Sequence, residues 1–522
     1  MKTVIGIDFG TQGARSILAD AATGEALLHH TVPYPHGILP EDLVDAADYE
    51  WALEQLLTAV TQSPYRDSIE SICVDATSLT LVPVDAQGRT LGSLPAFADQ
   101  PQAMVKLWKR HTAQAQADEA LALAKRTDQP FLKRTGGSIS SEWMLPKLME
   151  TYDEAPDVWA GMDAAFDLCD FLTYRLTGRL TRSAGSMCFK ALWAEDLGFP
   201  QEEYLEALRP GLSAKYRHLL RGNVLPPGSR AGFLRPELAE GYGLRQPVTV
   251  AVGILDGHTS LAALGALKAG DATLVVGTSN VLAVQTGALR EIDGICGISR
   301  DGFCPGLYGI DAGQACTGDM LDWYIRSTMP ASVQEEAQER GVSPHTLLCE
   351  RIRQPWSNKI AAVDWLNGSR NAPCDLSLPG AWVGLTMESR PEDMYLALLQ
   401  SIVCGTREIV EQCRLSGVAV SRLLATGGIT RKNPLLMQLY ADILGQTVWV
   451  AQSEEGPALG ASIYAAVAAG LYTSVREAHR HMGIQETTAY TPDLAHRAAY
   501  EAVYQKNHQL RQLLIQYKAE GS

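Results

Sequence analysis

The chain has 522 residues, 46% hydrophobic and 20% charged, with 59 acidic against 44 basic side chains and a net charge of −15. At roughly 100–200 residues per domain this length accommodates two to four domains whose cores need no disulfide or metal staple, which excludes disordered, collagenous and small secreted scaffolds. An acidic balance without a long Lys/Arg run argues against a nucleic-acid groove, whose affinity rests on phosphate neutralisation, and leaves small molecules as the expected partners.

The chain opens on an apolar run, Val4 to Ile7, followed by Asp8-Phe9-Gly10-Thr11-Gln12-Gly13 and a second β-like run, Arg15 to Ala19, closed by turn residues up to Gly24. This reads as strand, Gly-rich turn, strand. Because Asp8 interrupts the first apolar run, no signal peptide is expected. Further on, Val248 to Ile254 reads as an apolar strand, and Asp256 stands where it hands over to a helix. Asp256 is either a capping residue for the free helix N–H groups or a functional carboxylate at a strand end, where open α/β sheets place their chemistry. On the second reading the helix dipole is expected to keep it ionised.

About half the chain length after the first turn the pattern returns: Thr273 to Val276, then Gly277-Thr278-Ser279-Asn280, then Val281 to Val284. The repetition predicts a domain-scale duplication. Each Gly-Thr turn either closes a hairpin and nothing more, or offers backbone N–H and hydroxyl donors to a polyphosphate gripped from both sides. Ser421 to Thr426 reads as a strand running into Gly427-Gly428, which is either a tight turn or a place where a flat base approaches the backbone. Asn433 as N-cap, Pro434 in the first turn and Gly445 beyond the end bound a helix. Pro457 to Tyr472 is apolar and rich in Ala and Gly, but shorter than the ~20 residues a spanning helix needs, so it reads as a buried helix. Arg497 to Gln516 reads as an amphipathic helix that either docks on the body, the favoured reading, or makes a subunit contact. The ten cysteines stand singly, with no CxxC pair and no zinc-like Cys/His spacing, which suits reduced thiols in a cytoplasmic protein.

Taken together, DFGTQGAR (Asp8–Arg15), CDFLTYRLTG (Cys169–Gly178), GILDGHT (Gly253–Thr259), VVGTSN (Val275–Asn280), GGITRKN (Gly427–Asn433) and EGPALGAS (Glu455–Ser462) resemble the FGGY carbohydrate kinases, a branch of the sugar kinase, Hsp70 and actin superfamily. Within that family the chain is most similar to ribulokinases, on FADQPQAMVKLWKRHTA (Phe97–Ala113), SSEWMLPKL (Ser140–Leu148), Lys190 before Ala-Leu-Trp193, GIDAGQACTGD (Gly309–Asp319) and DWLNGSR (Asp364–Arg370). The resemblance implies an α/β, ribonuclease H-like architecture of two domains. Each would be a mixed sheet flanked by helices, and ATP and sugar would meet in the cleft between them, with hinge closure. The expected division is residues 1–254, residues 255–490 and a terminal helix over 491–522.

By motif position, Asp256 would be the base, and Asp8 would help hold Mg²⁺ through water. Gly10, Thr11 and Arg15 from one domain, with Gly277, Thr278 and Gly318 from the other, would lie by the phosphates, and Gly428 and Asn433 by adenosine. Ala98, Glu142, Lys190, Asp256 and Asp311 would contact the sugar. Without the resemblance, Lys190 reads as a surface lysine covering apolar area and Glu142 as a first-turn helix residue. The implied reaction is phosphorylation of a ketopentose, L-ribulose at C5, using ATP and Mg²⁺, with D-ribulose, D-xylulose or ribitol as alternative acceptors. A nucleotide-gated binding module of the Hsp70 or actin type is the reading from another class. No nucleic acid or membrane partner is implied, and the resemblance leaves room for a homodimer. Three positions depart from the pattern: Asp311 in place of Glu, Arg110 in place of an acidic residue beside the sugar pocket, and Gly13 in place of Ser. The first two bear on which hydroxyls find partners.

Overall fold

The computed structural model describes residues 1–453 and 456–521, so Glu455 at the head of the last motif lies outside the described residues. Every residue of strand β1 (Thr3–Phe9) is buried, as expected of a central strand covered on both faces. It forms an antiparallel hairpin with β2 (Gly13–Asp20), which pairs antiparallel with β3 (Ala26–Pro33). On its other side β1 runs parallel to β4 (Ile69–Ala76). With β5 (Arg230–Phe233), β6 (Thr249–Ala251) and β7 (Ile254–Leu255), the sheet order is β5-β6-β4-β1-β2-β3, β7 also pairing with β4.

The second sheet repeats this plan with β8 (Asp271–Val276), β9 (Asn280–Thr286), β10 (Gly297–Arg300), β11 (Tyr308–Gln314), β12 (Arg422–Thr426), β13 (Val448–Ala451) and β14 (Thr487–Tyr490), in the order β10-β11-β9-β8-β12-β13-β14. Here too the hairpin strand β8 has an antiparallel pair on one side and two parallel strands, then an antiparallel edge, on the other. The duplication expected from the two Gly-Thr turns is therefore a duplication of sheet topology. The strand expected over Val248 to Ile254 is broken into β6 and β7. Between the pairs Val250 with Ile72 and Ile254 with Asp75 this strand carries one residue more than β4, and Gly253 is pressed onto the Cys169 carbonyl, which a Cβ would approach to 2.5 Å.

The helices that matter for the site are α1 (Met144–Glu154), α2 (Ala184–Lys190), α3 (Asp256–Leu264), α4 (Gly318–Ser327), α5 (Gly428–Lys432), α6 (Pro434–Leu444), α7 (Gly456–Ala468) and α8 (Arg497–Gly521). Helix α7 follows the second sheet's β13 in the chain yet packs across the first sheet, and one apolar cluster joins Val4, Ile17 and Cys73 to Ala262, Ala461 and Ile463. Its small residues permit this approach. A Cβ on Gly6 would lie 1.9 Å from the Ala458 carbonyl oxygen, and one on Gly460 would lie 2.2 Å from that of Thr259. Ser71 Oγ donates to the Ala465 carbonyl at 2.7 Å across the same seam. The Ala/Gly-rich stretch is thus a buried helix, and among the described residues no helix is long and apolar enough to cross a membrane.

Helix α8 docks on the second domain through buried Tyr500, Tyr504 and Leu510. It also delivers Arg511, 3% exposed, whose Nη2 donates to Asp364 Oδ1 at 2.5 Å. The seam between α7 and β1 is backbone against backbone, so it cannot relax by rotating a side chain. Gly6→Ala should destabilise the protein by about 2 kcal/mol or more, read as a lower urea midpoint, and an unchanged midpoint would contradict this packing.

Candidate active site

Parallel pairing brings the ends of β1, β4 and β7 to one edge of the first sheet. Asp8 and Asp75 are register partners across β1 and β4, and Leu255 pairs with Ala76, so Asp256 follows immediately beside them. Asp8 and Asp75 are buried, and neither Asp75 oxygen finds a hydrogen-bond donor. Burial first, and then the charge of Asp8, pushes the Asp75 carboxyl well above the usual carboxylate range. Arg15 closes on Asp8 across the hairpin, with Nε at 2.7 Å and Nη2 at 2.6 Å from Oδ2.

Asp256 is the first residue of α3. Its Oδ1 accepts the N–H of its neighbour Gly257 at 2.7 Å, and the N-cap position of the helix is held by Leu255. Its pKa is raised from 3.8 to about 7 by burial, then by the charge of Asp8, against the lowering pull of the Gly257 and Ser78 amides. The expectation that the helix dipole keeps it fully ionised is corrected accordingly: desolvation and a like charge outweigh the helix terminus. A carboxylate titrating near neutrality is matched to proton acceptance from a hydroxyl.

The first Gly-Thr turn follows Asp8 and Phe9 at the end of β1, and a Cβ on Gly257 would lie 3.4 Å from Val281, near the start of the strand after the second turn. The amides of Gly10 and Gly277 close their own turns onto the Gly13 and Ser279 carbonyls at 3.0 Å each, while the Thr11 hydroxyl receives the Trp108 indole N–H at 3.4 Å. Thr278 is exposed, and its carbonyl accepts the Thr317 amide at 2.9 Å at the head of α4. Gly318 sits so close to the second turn that a Cβ would lie 2.8 Å from the Gly277 carbonyl oxygen. The two glycines after β12 divide the roles left open for them. At Gly427, φ +109°, a Cβ would lie 2.3 Å from the Val276 carbonyl oxygen, whereas a Cβ on Gly428 would meet nothing within 4 Å. Asn433 caps α6 by accepting the Leu436 amide at 3.0 Å.

The third group of residues bridges the two domains. Lys190, the last residue of α2, is 6% exposed and its Nζ lies 2.9 Å from Asp311 Oδ2 on β11. The reading of Lys190 as a surface lysine is thus replaced by a buried ion pair. Burial disfavours both charges, but each partner outweighs that cost, holding Asp311 well below the usual carboxylate range and Lys190 above the usual ammonium one. His258 Nε2 stands 3.5 Å from Asp311 Oδ1, and its Nδ1 is buried without a partner. Burial lowers the His258 pKa, so the ring is held neutral between Phe189 and Phe303. Glu142 sits in the turn two residues before α1 rather than inside it, 2.7 Å from Arg370 Nη2, which keeps its carboxyl below the usual range despite burial. Ala98 lies apart, exposed in a turn whose neighbours Phe97 and Gln100 contact Gly161 and Asp157.

The N-terminal domain of the FGGY family of carbohydrate kinases matches residues 3–265 and its C-terminal domain residues 272–469. This chain belongs to the FGGY family of carbohydrate kinases. A ribulokinase of Halalkalibacterium halodurans is 37% identical over 97% of this chain and 93% of that one, and a ribulokinase of Mycolicibacterium smegmatis is 35% identical over 96% and 92%. Two solved structures share the fold: xylulose kinase from Rhodospirillum rubrum, with a TM-score of 0.78 at 20% identity over 99% of each chain, and Plasmodium falciparum glycerol kinase with ADP, with 0.77 at 16% over 98% of each. The protein is an ATP-dependent sugar kinase of two α/β domains. The Hsp70- or actin-type alternative gains no support from these relatives.

The departures from the FGGY pattern find local explanations. Arg110 is 3% exposed and pairs with Glu41 at 3.1 Å and Glu150 at 3.4 Å, next to buried Lys106. It is part of a charge cluster with Glu41, Glu150 and Lys106. At Gly13 a Cβ would lie 2.6 Å from the Val32 carbonyl oxygen, so the close approach of β3 leaves no room for a serine. Asp311, although one methylene shorter than Glu, still spans to Lys190 and His258. Asp75, His258 and Arg370 are site residues that sequence reasoning missed. Asp75 showed only as the polar end of the apolar run Ile72-Cys73-Val74, whereas His258 and Arg370 lie within GILDGHT and DWLNGSR, where the resemblance assigned them no role.

Among the described residues no three His, Cys, Asp or Glu side chains converge into a cage that holds a metal by itself. A cation fits here nonetheless, because the buried carboxyls of Asp8 and Asp75 lie side by side with neither Asp75 oxygen accepting a hydrogen bond, and Mg²⁺ takes most of its ligands from water and phosphate. A carboxyl whose folded pKa is raised costs stability above its unfolded pKa, increasingly until the pH passes the folded value. Without Mg²⁺ or nucleotide, Asp256→Asn should therefore unfold at a higher temperature than wild type at about pH 8, with the gap closing toward about pH 5. A gap independent of pH would contradict the raised Asp256 pKa.

Proposed function

We propose that this kinase phosphorylates a ketopentose, L-ribulose at its C5 hydroxyl, with Asp256 as the base. The observation that supports the reading is a set of two cross-domain pairs, Lys190–Asp311 and Glu142–Arg370, the first of which also reaches His258, two residues after Asp256. Four charged side chains that sum to zero suit a neutral polyol, whose hydroxyls both donate and accept. The ribulokinase names of relatives at 31–37% identity support the choice of acceptor.

In this reading the C5 hydroxyl gives its proton to the Asp256 carboxylate as its oxygen forms a bond to the γ-phosphorus. The bond from that phosphorus to the β–γ bridging oxygen breaks, and ADP leaves. Little covalent help is required; positioning and charge neutralisation supply most of the rate. Asp8 and Asp75 would hold Mg²⁺ through its water, and the ion would supply positive charge to the phosphates. Thr11 and Thr278 would donate to phosphate oxygens from opposite domains, and open Gly428 would admit the adenosine face. Because ATP is the donor, we place the enzyme in the cytoplasm.

A coupled ADP-release assay over pentuloses and pentitols, with the phosphorylated carbon identified by NMR, tests this. L-Ribulose should give the highest kcat/KM and a 5-phosphate, while preference for D-ribulose, D-xylulose or ribitol would replace the acceptor. Asp256→Asn should cut sugar-dependent turnover about 100-fold or more while leaving ATP affinity nearly intact, and near-normal turnover would remove Asp256 from the base role.

A further inference from the structure

We propose that Arg370 is a specificity-determining residue, through which the second domain sets both the sugar-binding carboxylate and the phosphate turn of the first. The inference rests on the kinase reading above and deepens it, giving a role of its own to Arg370, which entered there only as the partner of Glu142. Arg370 is carried rigidly by its domain. Asp364, at the start of its loop, is held by Gln314 Nε2 at 2.6 Å and by Arg511 at 2.5 Å. Asn371 Nδ2, just after it, donates to the Gly313 carbonyl on β11 at 2.6 Å. From this base the guanidinium crosses to the first domain, where Nη2 pairs with Glu142 and the plane lies 5.3 Å from the centre of the Trp108 ring. Trp108 in turn reaches Thr11 of the phosphate turn through its indole N–H.

Three features separate this arrangement from an ordinary surface ion pair. The pair is largely shielded, with side chains 17% and 7% exposed, so solvent screens it little. Arg370 Nε is buried with no acceptor, an unmet donor of a kind proteins seldom leave unless a ligand oxygen completes it. The polarity is also opposite to that of the neighbouring bridge. The first domain supplies the cation Lys190 and the anion Glu142, and the second supplies the anion Asp311 and the cation Arg370. Domains that slide or rotate out of register lose both attractions at once, and no single bulk charge could select one docking geometry in this way. A planar, fork-shaped guanidinium that stacks and pairs simultaneously is not replaced by a lysine ammonium.

Arg370→Lys keeps a positive charge beside Glu142 but loses the stack and the Nε donor. Steady-state kinetics with wild type, Arg370→Lys and Trp108→Phe, using the sugar that wild type prefers, test the proposal. Arg370→Lys should raise the sugar KM about tenfold or more while moving the ATP KM by less than about twofold. Trp108→Phe, which retains a ring under Arg370 but removes the donor to Thr11, should instead lower kcat about fivefold with the sugar KM nearly unchanged. Equal rises in both KM values for Arg370→Lys, or wild-type kinetics for both variants, would overturn it. If Arg370→Lys fails to fold, Trp108→Phe decides alone, since it leaves the ion pair in place: the drop in kcat supports the link and wild-type kcat refutes it. A wild-type preference for an acceptor other than a pentulose would refute the acceptor reading only, and the same variants are then read with that acceptor.

Discussion

Three carboxylates at one sheet edge, two of them fully enclosed and one lacking any donor, are the constraint around which the active site is arranged. Parallel strands end together, so β1, β4 and β7 cannot carry Asp8, Asp75 and Asp256 at their ends without bringing like charges into contact. Within the protein alone, the repulsion is met by raising the affinity of Asp75 and Asp256 for protons and by the Arg15 clamp on Asp8. With a nucleotide and a divalent cation, the same surplus of negative charge becomes a seat for positive charge. A site destabilised when empty is the expected companion of one organised for charge transfer.

The opposed domain is attached by a different kind of contact. The backbone seam of α7 against β1 and α3 is tight and apolar, whereas the pocket side is joined by two ion pairs of opposite polarity and a neutral histidine between aromatic rings. One side of the interdomain contact is thus backbone packing and the other is side-chain ion pairing. The net charge of −15 plays no part in this, because the four groups of the two ion pairs are balanced.

Much of this was legible in the sequence because its signals were local. Gly-Thr turns between apolar runs marked both hairpins, Asn433-Pro434 and Gly445 bounded α6, and the strand-to-helix step exposed Asp256. What depended on contacts between distant segments was not legible. Lys190 looked like a surface lysine because its partner, Asp311, lies 121 residues away, and Arg110 looked misplaced because Glu41 and Glu150 were not visible as its partners. Asp75 was hidden for a similar reason: only the register of β4 against β1 shows that it faces Asp8. Family likeness named Lys190, Glu142 and Asp311, but the physical reason for each emerged only with the fold. Ala98, also named for the sugar by that likeness, is exposed in a turn.

The central claim is that the acceptor hydroxyl is presented to Asp256 between two domains that each supply one cation and one anion to the sugar. A crystal structure with the preferred pentulose and a non-hydrolysable ATP analogue measures this directly. The account predicts the attacking hydroxyl within about 3 Å of the Asp256 carboxylate, with Lys190, Glu142 and Asp311 on the remaining hydroxyls. A sugar bound away from Asp256, or held by one domain alone, would contradict it.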